Sequence, residues 1–409
     1  MRKISLFILI CWLCAPGVMA GGFQLNLQGQ KQTGMAHTGT GLLSDASTVL
    51  FNPGGISLLD SGFHISAGTS LLFPRVTYLE PYPGNYSTET VHHIGTPFTF
   101  YATYKKAGSK LGFGLGVYTP FGSKQQWEDN WIGQFLIREI DLKTIFIQPT
   151  LSYALNENFS IGAGFVYATG SFGLRKGVPV QDSTGAYGEG NLNGKASGTG
   201  FNAGLYYKSN GGFSAGICFR SSLLAKISGG TAEFTVPNSL SSYFPSTSFN
   251  TQIRLPFVST LGLGYSKEKW KFAVDINYVG WSSYDSLIID FEQNTDKLAD
   301  IHSVRNYKNS FIFRVGSQYK TSEKLDLRAG VYYDMTPVQD GYLTPETPDV
   351  NKIGITAGLS YRPISNLSID ASFLFIEGAQ RSDVNLETGF AGTYKSRAFV
   401  PGVGIEYHF

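Results

Sequence analysis

Long apolar runs, charge and cysteine are all scarce in this chain of 409 residues. Beyond residue 20, no apolar stretch reaches the ~20 residues that a membrane-spanning helix needs, which excludes a helical membrane protein. Only 15% of the residues are charged and the net charge is +2, with no basic stripe of the kind that binds nucleic acid. Cys218 is the one cysteine beyond residue 20, so an internal disulfide and a multi-thiolate metal site are excluded there.

The first twenty residues have the layout of a secretory signal peptide. Arg2 and Lys3 give a positive start, an apolar run follows from 4 to 13, and small residues end the segment at Ala20. The apolar run is too short to cross a membrane as a helix. We therefore expect residues 1–20 to be removed and the mature chain to begin at Gly21.

Glycine and aromatic residues are abundant instead. The chain has 49 glycines, 14% aromatic residues and a mean hydropathy of -0.05. Large apolar residues alternate with small or polar ones in segments such as 270–278, 325–333, 367–373 and 403–409. This alternation is typical of strands with one face toward lipid and the other toward a barrel lumen. The polar face has fewer Lys and Glu than a soluble sandwich would carry, so we predict an all-β transmembrane antiparallel β-barrel.

The connections between these segments alternate in length. Short turns lie near 107–109, 156–158, 209–211, 267–269, 322–324 and 363–366, and long polar stretches near 75–95, 123–137, 177–195, 229–251, 292–305, 337–350 and 381–393. Short turns on one side and long loops on the other are typical of outer-membrane barrels, and the segments number about fourteen. We therefore predict a barrel of residues 61–409. Residues 21–60 do not alternate, and we expect them to plug the lumen as an N-terminal hatch.

Several short motifs punctuate the chain: 22–26 (GFQLN), 39–41 (GTG), 45–47 (DAS), 51–55 (FNPGG), 114–122 (GLGVYTPFG) and 333–338 (YDMTPV). Together they resemble the FadL family of outer-membrane transporters for long-chain fatty acids and related hydrophobic compounds. That family's hatch carries Asn-Pro-Ala, whereas this chain has Gly54 at the third position. The resemblance implies a fourteen-stranded barrel plugged by a hatch. It also implies that substrates pass from an extracellular groove to an internal pocket and leave sideways beside a kinked third strand.

The resemblance assigns roles to two groups of residues. One group is expected in the hatch: Phe23, Leu25, Asn52, Pro53 and Gly54. The second group is expected in the third strand, beside the lateral opening: Gly112, Gly114, Gly116, Pro120 and Gly122. The first three of these glycines share one face of the strand, and the alternative is that they leave room for the hatch against the wall. Asn-Pro-Gly is also an ordinary turn sequence, and a rigid turn suits a plug.

Two further groups are candidates for contact with a ligand. Trp127, Trp131 and Phe135 recur at every fourth position, which predicts that they lie on one side of a short helix. Together with three other loop residues, Leu136, Tyr243 and Phe244, they could form an apolar groove. The alternatives are an aromatic belt at the membrane interface or loop packing. Arg175 and Lys176 could hold a carboxylate. The alternatives are a solvated loop position or pairing with an acid of the lumen.

No motif indicates catalysis, a cofactor or a metal. His92 and His93 are adjacent, so on a strand they point to opposite faces, and no Gly-x-Ser-x-Gly motif is present. The predicted function is passive uptake of hydrophobic molecules, above all long-chain fatty acids, by a monomer in contact with outer-membrane lipid. The alternatives are a porin for small polar solutes, an aromatic-hydrocarbon channel, an assembly or adhesion barrel, and a barrel hydrolase.

Overall fold

Strands run through most of residues 62–408 in the computed structural model, which describes residues 21–409. They are β1 (Gly62–Ser70), β2 (Phe73–Leu79), β3 (Ser87–Glu89), β4 (Phe98–Lys105), β5 (Leu111–Tyr118), β6 (Gly122–Gln126), β7 (Glu139–Ala154), β8 (Phe159–Gln181), β9 (Tyr187–Lys208), β10 (Phe213–Arg220), β11 (Leu223–Thr235), β12 (Thr247–Leu255), β13 (Val258–Lys267), β14 (Trp270–Val279), β15 (Ser286–Phe291), β16 (Ile301–Val304), β17 (Ser310–Lys320), β18 (Leu325–Asp334), β19 (Lys352–Ile364), β20 (Leu367–Gly378), β21 (Arg381–Val384) and β22 (Ala391–His408).

The helices are short. They are α1 (Gln30–Thr33), α2 (Thr48–Phe51) and the 3-10 helices Pro53–Leu58, Asn238–Tyr243 and Trp281–Ser283. Within residues 21–409, none of the helices has the length and apolar character needed to cross a membrane. The predicted signal peptide, residues 1–20, lies outside the described residues and stays a prediction.

Fourteen of the strands pair side by side into a closed wall. Their order around the wall is β1, β4, β5, β7, β8, β9, β10, β13, β14, β17, β18, β19, β20 and β22, and β22 pairs with β1. All these pairs are antiparallel. Closure matters because an open edge would leave unpaired N–H and C=O groups in lipid. The predicted fourteen-stranded antiparallel barrel is confirmed.

The outer face of the wall is apolar, as β14 illustrates. Trp270 and Val274 are 46% and 41% exposed, whereas Asp275 points inward and is buried. Val274 lies between Leu263 of β13 and Val315 of β17, which are also exposed. A band of exposed apolar side chains around a closed barrel is the surface that contacts lipid.

The two ends of the barrel differ. Turns of a few residues join the strands at the end where β1 begins and β22 ends, and in outer-membrane barrels such turns face the periplasm. The long loops, with the remaining strands β2, β3, β6, β11, β12, β15, β16 and β21, cover the opposite, extracellular end. The difference in connection length predicted from the sequence is therefore present in the fold.

Residues 21–61 pass through the lumen, and almost all of residues 26–57 are buried. Their backbone touches the wall directly, because the wall presents glycines there. A Cβ atom on Gly216 would lie 2.1 Å from the Thr40 carbonyl oxygen, and one on Gly262 would lie 2.4 Å from the Gly41 nitrogen. Eight wall glycines meet the hatch backbone in this way: Gly112, Gly162, Gly216, Gly262, Gly264, Gly316, Gly330 and Gly358. Others meet hatch side chains, among them Gly114, Gly116 and Gly204.

The helix α1 lies at the seam where the last strand meets the first. Lys31 forms an ion pair with Glu406 of β22, and both side chains are almost fully buried. Gln30 donates from Nε2 to the Thr69 carbonyl oxygen of β1 (3.2 Å) and accepts from the Ser372 hydroxyl of β20 (2.5 Å). Three neighbouring wall strands are thus connected to one turn of the hatch.

Replacing Gly216 with alanine is expected to loosen the hatch without unfolding the barrel. The new Cβ would overlap the Thr40 carbonyl oxygen, so the hatch must shift, at a cost of about 1–3 kcal/mol. Lys31 is the only lysine or arginine between residues 21 and 60, and it is buried. The rate of trypsin cleavage at Lys31 therefore measures how often the hatch opens, and we expect it to rise.

The matched control is Gly173→Ala in β8, where a Cβ would meet its nearest atoms at 3.4 Å or more. Both variants are expected to keep the heat-dependent gel mobility of a folded barrel. Equal cleavage at Lys31 in the two variants would contradict the close contact between hatch and wall.

Candidate functional site

The third wall strand is kinked between β5 and β6. Tyr118 pairs with Phe146 of β7, and Gly122 pairs with Lys143 of the same strand. Between these two pairs, the third wall strand therefore contains one residue more than β7. An extra residue of this kind bends a strand and interrupts the ladder. Pro120 lies within the interruption and has no N–H to donate.

Beyond the kink, β6 is paired with β7 but has little contact with the strands that precede it. Among residues 21–409, Val91 N–H to Gln126 O (2.7 Å) is the backbone hydrogen bond that joins β6 to the segment before β4. That segment pairs instead with the end of β1, where Gly95 and Leu72 exchange two backbone hydrogen bonds. A gap in the wall remains between residues 122–125 and residues 72–76.

The backbone at the kink binds the hatch. The Leu25 N–H donates to the Pro120 carbonyl oxygen (2.9 Å), and the Gly122 N–H donates to the Phe23 carbonyl oxygen (3.1 Å). Gln24 lies opposite Phe121 in a single antiparallel bridge. Residues 23–25 therefore act as a short strand on the inner side of the gap.

Phe23 anchors this short strand. Its ring packs edge-on against Trp281 (4.8 Å between centroids) and Tyr284 (5.6 Å), and Phe121 of the kink lies 6.2 Å away. All four rings are buried. Aromatic pairs at these distances are favourable beyond the area that they bury. Residues 23–25 are thus held by two backbone hydrogen bonds and one aromatic cluster, and the preceding Gly21 and Gly22 donate to Met335 O (3.1 Å) and Asp349 Oδ2 (2.9 Å).

A cavity of about 180 Å³ leads from these hatch residues to the gap. It is lined by hatch residues 22–27, by residues 122–125 and by the wall at 72–76 and 396–398. A second cavity, of about 500 Å³, lies on the outer face of the wall. The two cavities share four lining residues: Pro74, Arg75, His93 and Arg397. The two cavities therefore adjoin at these wall residues, and we name the two cavities together the side opening.

The structure separates the five residues predicted for the lateral opening. Gly122 lines the side opening and Pro120 lies at the kink. Gly112, Gly114 and Gly116 do not lie at the gap, because they belong to β5, which is paired on both sides. A Cβ on any of them would approach hatch side chains at 3.2 Å or less. The expectation for these three glycines is corrected: they make room for the hatch.

The predicted hatch turn attaches the hatch to the wall. The Asn52 side chain donates from Nδ2 to the carbonyl oxygens of Thr40 (3.0 Å) and Leu205 of β9 (2.9 Å), and its Oδ1 accepts from the Gly54 N–H (3.1 Å). Pro53 begins the 3-10 helix that follows. One buried amide therefore holds the turn, the rest of the hatch and a wall strand together.

Two of the predicted groove residues are enclosed rather than exposed. Trp127 and Trp131 stack at 4.6 Å and are both 0% exposed, and Trp131 also packs on Tyr78 and Phe390. Residues 129–136 form turns and a bend instead of the predicted short helix. The expectation of an open surface at these two tryptophans is corrected, because the loops fold over them.

The other predicted groove residues do not join them into one surface. Phe135 and Leu136 are partly buried, Tyr243 is 39% exposed, and Phe244 is buried against Phe234 of β11. Phe244 and the two tryptophans pack against different aromatic residues. The six residues thus form separate packing clusters in the extracellular loops.

Arg175, one of the two predicted carboxylate ligands, already has partners. Its guanidinium forms ion pairs with Asp129 (2.7 Å) and Glu189 (2.9 Å), which corresponds to the alternative interpretation. Lys176 has no ion pair within residues 21–409, yet it lines neither cavity of the side opening. Sequence reasoning did not identify Arg220, which lines a third cavity on the other side of hatch residues 24–26. A single arginine at a strand end gives no pattern that could have singled it out.

The extracellular loops carry a buried ion pair of their own. Arg305 and Glu346 lie 2.5 Å apart, and the Arg305 side chain is 3% exposed. Burial opposes the charge of Arg305, but the Glu346 carboxylate, with Tyr284 and Tyr307 nearby, outweighs burial and raises the pKa of Arg305. The pair therefore stays ionised and ties the loop after β16 to the loop before β19.

A closed fourteen-stranded barrel, an internal hatch and a side opening beside a kinked strand define an outer-membrane transport channel. The sequence profile of the family described as outer membrane protein transport protein (OMPP1/FadL/TodX) matches residues 12–409. The chain belongs to this family. It is accordingly an outer-membrane transporter of the FadL/TodX type for hydrophobic substrates, and not an enzyme.

Individual members of the family are similar along nearly their whole length. The long-chain fatty acid transport protein of Escherichia coli strain K12 is 23% identical, over 97% of this chain and 96% of that protein. The structure of a Pseudomonas aeruginosa FadL homologue matches with a TM-score of 0.82 at 20% identity, covering 95% of this chain and all of that one. The Pseudomonas putida toluene transporter TodX matches with a TM-score of 0.71 at 16% identity, covering 96% and 99%.

Replacing Phe23 with alanine is expected to free the start of the hatch. The loss of a large buried ring from the cluster around Trp281 costs about 3–5 kcal/mol. The hydrogen bonds to Pro120 and Gly122 then open more often. Hydrogen–deuterium exchange of peptides covering residues 21–28 is expected to accelerate. The lipid-facing change Phe165→Ala is the control, and equal exchange in both variants would refute the anchoring role.

Proposed function

We propose that the protein takes up long-chain fatty acids, or molecules of similar hydrophobicity, by passive diffusion and releases them sideways into the membrane through the side opening. The proposal depends above all on the two adjoining cavities between the hatch and the outer face, beside the kink that Pro120 and the extra residue produce. No energy source is required, because the route ends in a hydrophobic phase.

Apolar contacts supply the binding in this proposal. The inner part of the side opening presents apolar side chains from hatch and wall: Phe23, Leu25, Leu27, Leu72, Val76, Leu374 and Ile376. Burial of an alkyl chain contributes about 25 cal/mol per Å². After the cost of association, a long chain is held with roughly micromolar affinity. A molecule bound at that strength can still leave on a useful timescale.

Movement of the hatch start controls the route. Residues 23–25 stand between the lumen and the gap, and only two backbone hydrogen bonds and the Phe23 cluster hold them there. A ligand that displaces this short strand exposes the kink and passes to the outer cavity. The remainder of the hatch, fixed by Asn52 and Lys31, keeps the lumen closed to water-soluble molecules. This arrangement argues against a water-filled porin.

The extracellular loops make the first contact with the substrate in this scheme. Tyr243 and the partly buried Phe135 and Leu136 offer apolar surface there, while Trp127 and Trp131 close the top of the lumen. Loop movement that uncovers the tryptophans would open the lumen. We further propose that the protein acts as a monomer surrounded by outer-membrane lipid, since the lipid-facing band is continuous around the barrel.

An aromatic hydrocarbon is the second candidate substrate. The cluster of Phe23, Phe121, Trp281 and Tyr284 offers ring edges and faces beside the side opening. One similar structure is that of a toluene transporter, whereas the E. coli relative is named for long-chain fatty acids. Competition between toluene and a fatty acid for the same protein would rank the two classes.

Filling the gap is expected to reduce uptake. A side chain at Gly122 would start 3.3 Å from Leu25 and project into the side opening, so Gly122→Phe should narrow the route. We expect uptake of radiolabelled oleate, by cells that lack their own fatty-acid transporter, to fall about tenfold or more relative to the unsubstituted protein.

Gly173→Phe is the control, because Gly173 lies in β8 and lines neither cavity. It is expected to leave uptake within about twofold. Normal uptake by a folded Gly122→Phe variant would rule out release through the side opening, and heat-dependent gel mobility would show that the barrel itself is folded.

A further inference from the structure

Aromatic side chains form a continuous row on the outer face of the barrel, near its extracellular end. The row runs from Phe201 of β9 through Phe219 and Phe257 to Tyr278 and Phe311, and the ring centroids of successive members lie 5.0–6.0 Å apart. Rows of aromatic residues mark the levels at which a barrel passes from lipid into water. The aromatic row therefore indicates the level of the lipid head groups in the outer leaflet.

Three basic side chains lie beyond this row on the same outer face. They are Lys195 of β9, Lys226 of β11 and Arg254 of β12. Each is exposed and points outward, because the side chains that alternate with it face the interior of the barrel. Arg254 is three residues from Phe257, so these side chains begin about 10 Å beyond the aromatic row. We name the three residues the basic patch.

The strand register brings the three cations together. Lys226 is opposite Ser197 of β9 and Gln252 of β12, and Lys195 and Arg254 lie two residues along from these partners. Both are thus diagonal neighbours of Lys226, at a separation of about 7–8 Å that long side chains can span. The patch is an oblique line across three strands, and like charges so close together repel each other unless an anion lies between them.

No acid neutralises the basic patch. Within residues 21–409, none of its three side chains has an ion-pair or hydrogen-bond partner. Asp290 of β15 lies on the same face, opposite Asn250 of β12, but it forms no ion pair with any of the three. The patch therefore presents three positive charges to whatever surrounds the barrel at this level.

Other lysines on the barrel surface are paired with acids of their own. Lys143 lies 2.8 Å from Asp141, Lys320 lies 2.7 Å from Glu323, and Lys395 lies 3.1 Å from Glu377. Their side chains are 41–69% exposed, so exposure alone does not distinguish them from the basic patch. The absence of acids is what sets the patch apart.

We propose that the basic patch binds the phosphorylated head of a glycolipid in the outer leaflet. Acyl chains of this lipid lie along the apolar wall below the aromatic row, and its phosphate groups accept hydrogen bonds from Arg254, Lys226 and Lys195. Ser197 and Gln252, between the cations, offer a hydroxyl and an amide to the sugar. Charge-assisted hydrogen bonds are stronger than those between neutral groups.

This site differs from the side opening in place and in ligand. None of the three basic residues lines either cavity of the side opening, and the bound lipid belongs to the membrane and is not transported. Because the patch extends over three strands, it suits a head with more than one anionic group. A free inorganic anion is the alternative ligand, and simple hydration of three surface cations is the competing explanation.

The experiment measures lipid binding to the purified protein in a neutral detergent by native mass spectrometry. The probes are diphosphoryl lipid A, monophosphoryl lipid A and phosphatidylethanolamine, and the unsubstituted protein is expected to bind them in that order of affinity. The triple change Lys195→Gln, Lys226→Gln and Arg254→Gln is expected to weaken diphosphoryl lipid A about 10- to 100-fold and to leave phosphatidylethanolamine within about threefold.

The matched control is the triple change Lys143→Gln, Lys320→Gln and Lys395→Gln, which alters the net charge by the same amount. It is expected to keep the affinity for diphosphoryl lipid A within about threefold. Four results would overturn the proposal: unchanged lipid A binding in the patch variant, an equal loss in the control variant, an equal loss of phosphatidylethanolamine, or displacement of lipid A by inorganic phosphate at the same concentration.

Arg254→Gln alone provides a second measurement in case the triple patch variant lacks the heat-dependent gel mobility of a folded barrel. This single change is expected to weaken diphosphoryl lipid A about fivefold, whereas Lys143→Gln alone should leave it within about twofold. The same affinity in these two single variants would argue against a glycolipid site at the basic patch.

Discussion

The whole structure depends on direct contact between the hatch backbone and wall positions that lack a side chain. A fourteen-stranded barrel has room for a channel, and here eight inward-facing glycines lie against the backbone of a folded segment of about forty residues. Because no side chain intervenes, backbone groups of the hatch reach the wall at Gly216 and Gly262. Water is thereby excluded from the lumen over most of its cross-section. We propose that a molecule passes where this contact is weakest, at the start of the hatch.

The weakest point coincides with the defect in the wall. The third strand loses its ordinary neighbour after the kink, and part of its free backbone is satisfied by Phe23 and Leu25 of the hatch. Hatch residues 23–25 thus complete the wall at the kink, although they are not a wall strand and make few contacts with it. A permanent hole would leave polar backbone groups exposed to lipid, whereas this arrangement satisfies some of them while the route is closed.

Much of the fold could be predicted from the sequence, because lipid contact imposes alternation on each strand separately. The period of two and the unequal turns gave the barrel and its strand number without any long-range information. The site was harder to predict. A row of glycines such as Gly112, Gly114 and Gly116 fits either a gap in the wall or a close contact between wall and hatch. Only the three-dimensional position of the hatch decides between these two interpretations. Trp127 and Trp131 are enclosed by residues far away in sequence, such as Tyr78 and Phe390.

The ion pair between Lys31 and Glu406 joins two parts of the chain that are made at opposite times. Lys31 belongs to the first residues to leave a ribosome, and Glu406 to the last. β22, which carries Glu406, also completes the circle by pairing with β1. The plug therefore cannot be fastened to its final partner until the last strand has been synthesised and inserted. This attachment of the hatch therefore depends on the strand that closes the barrel.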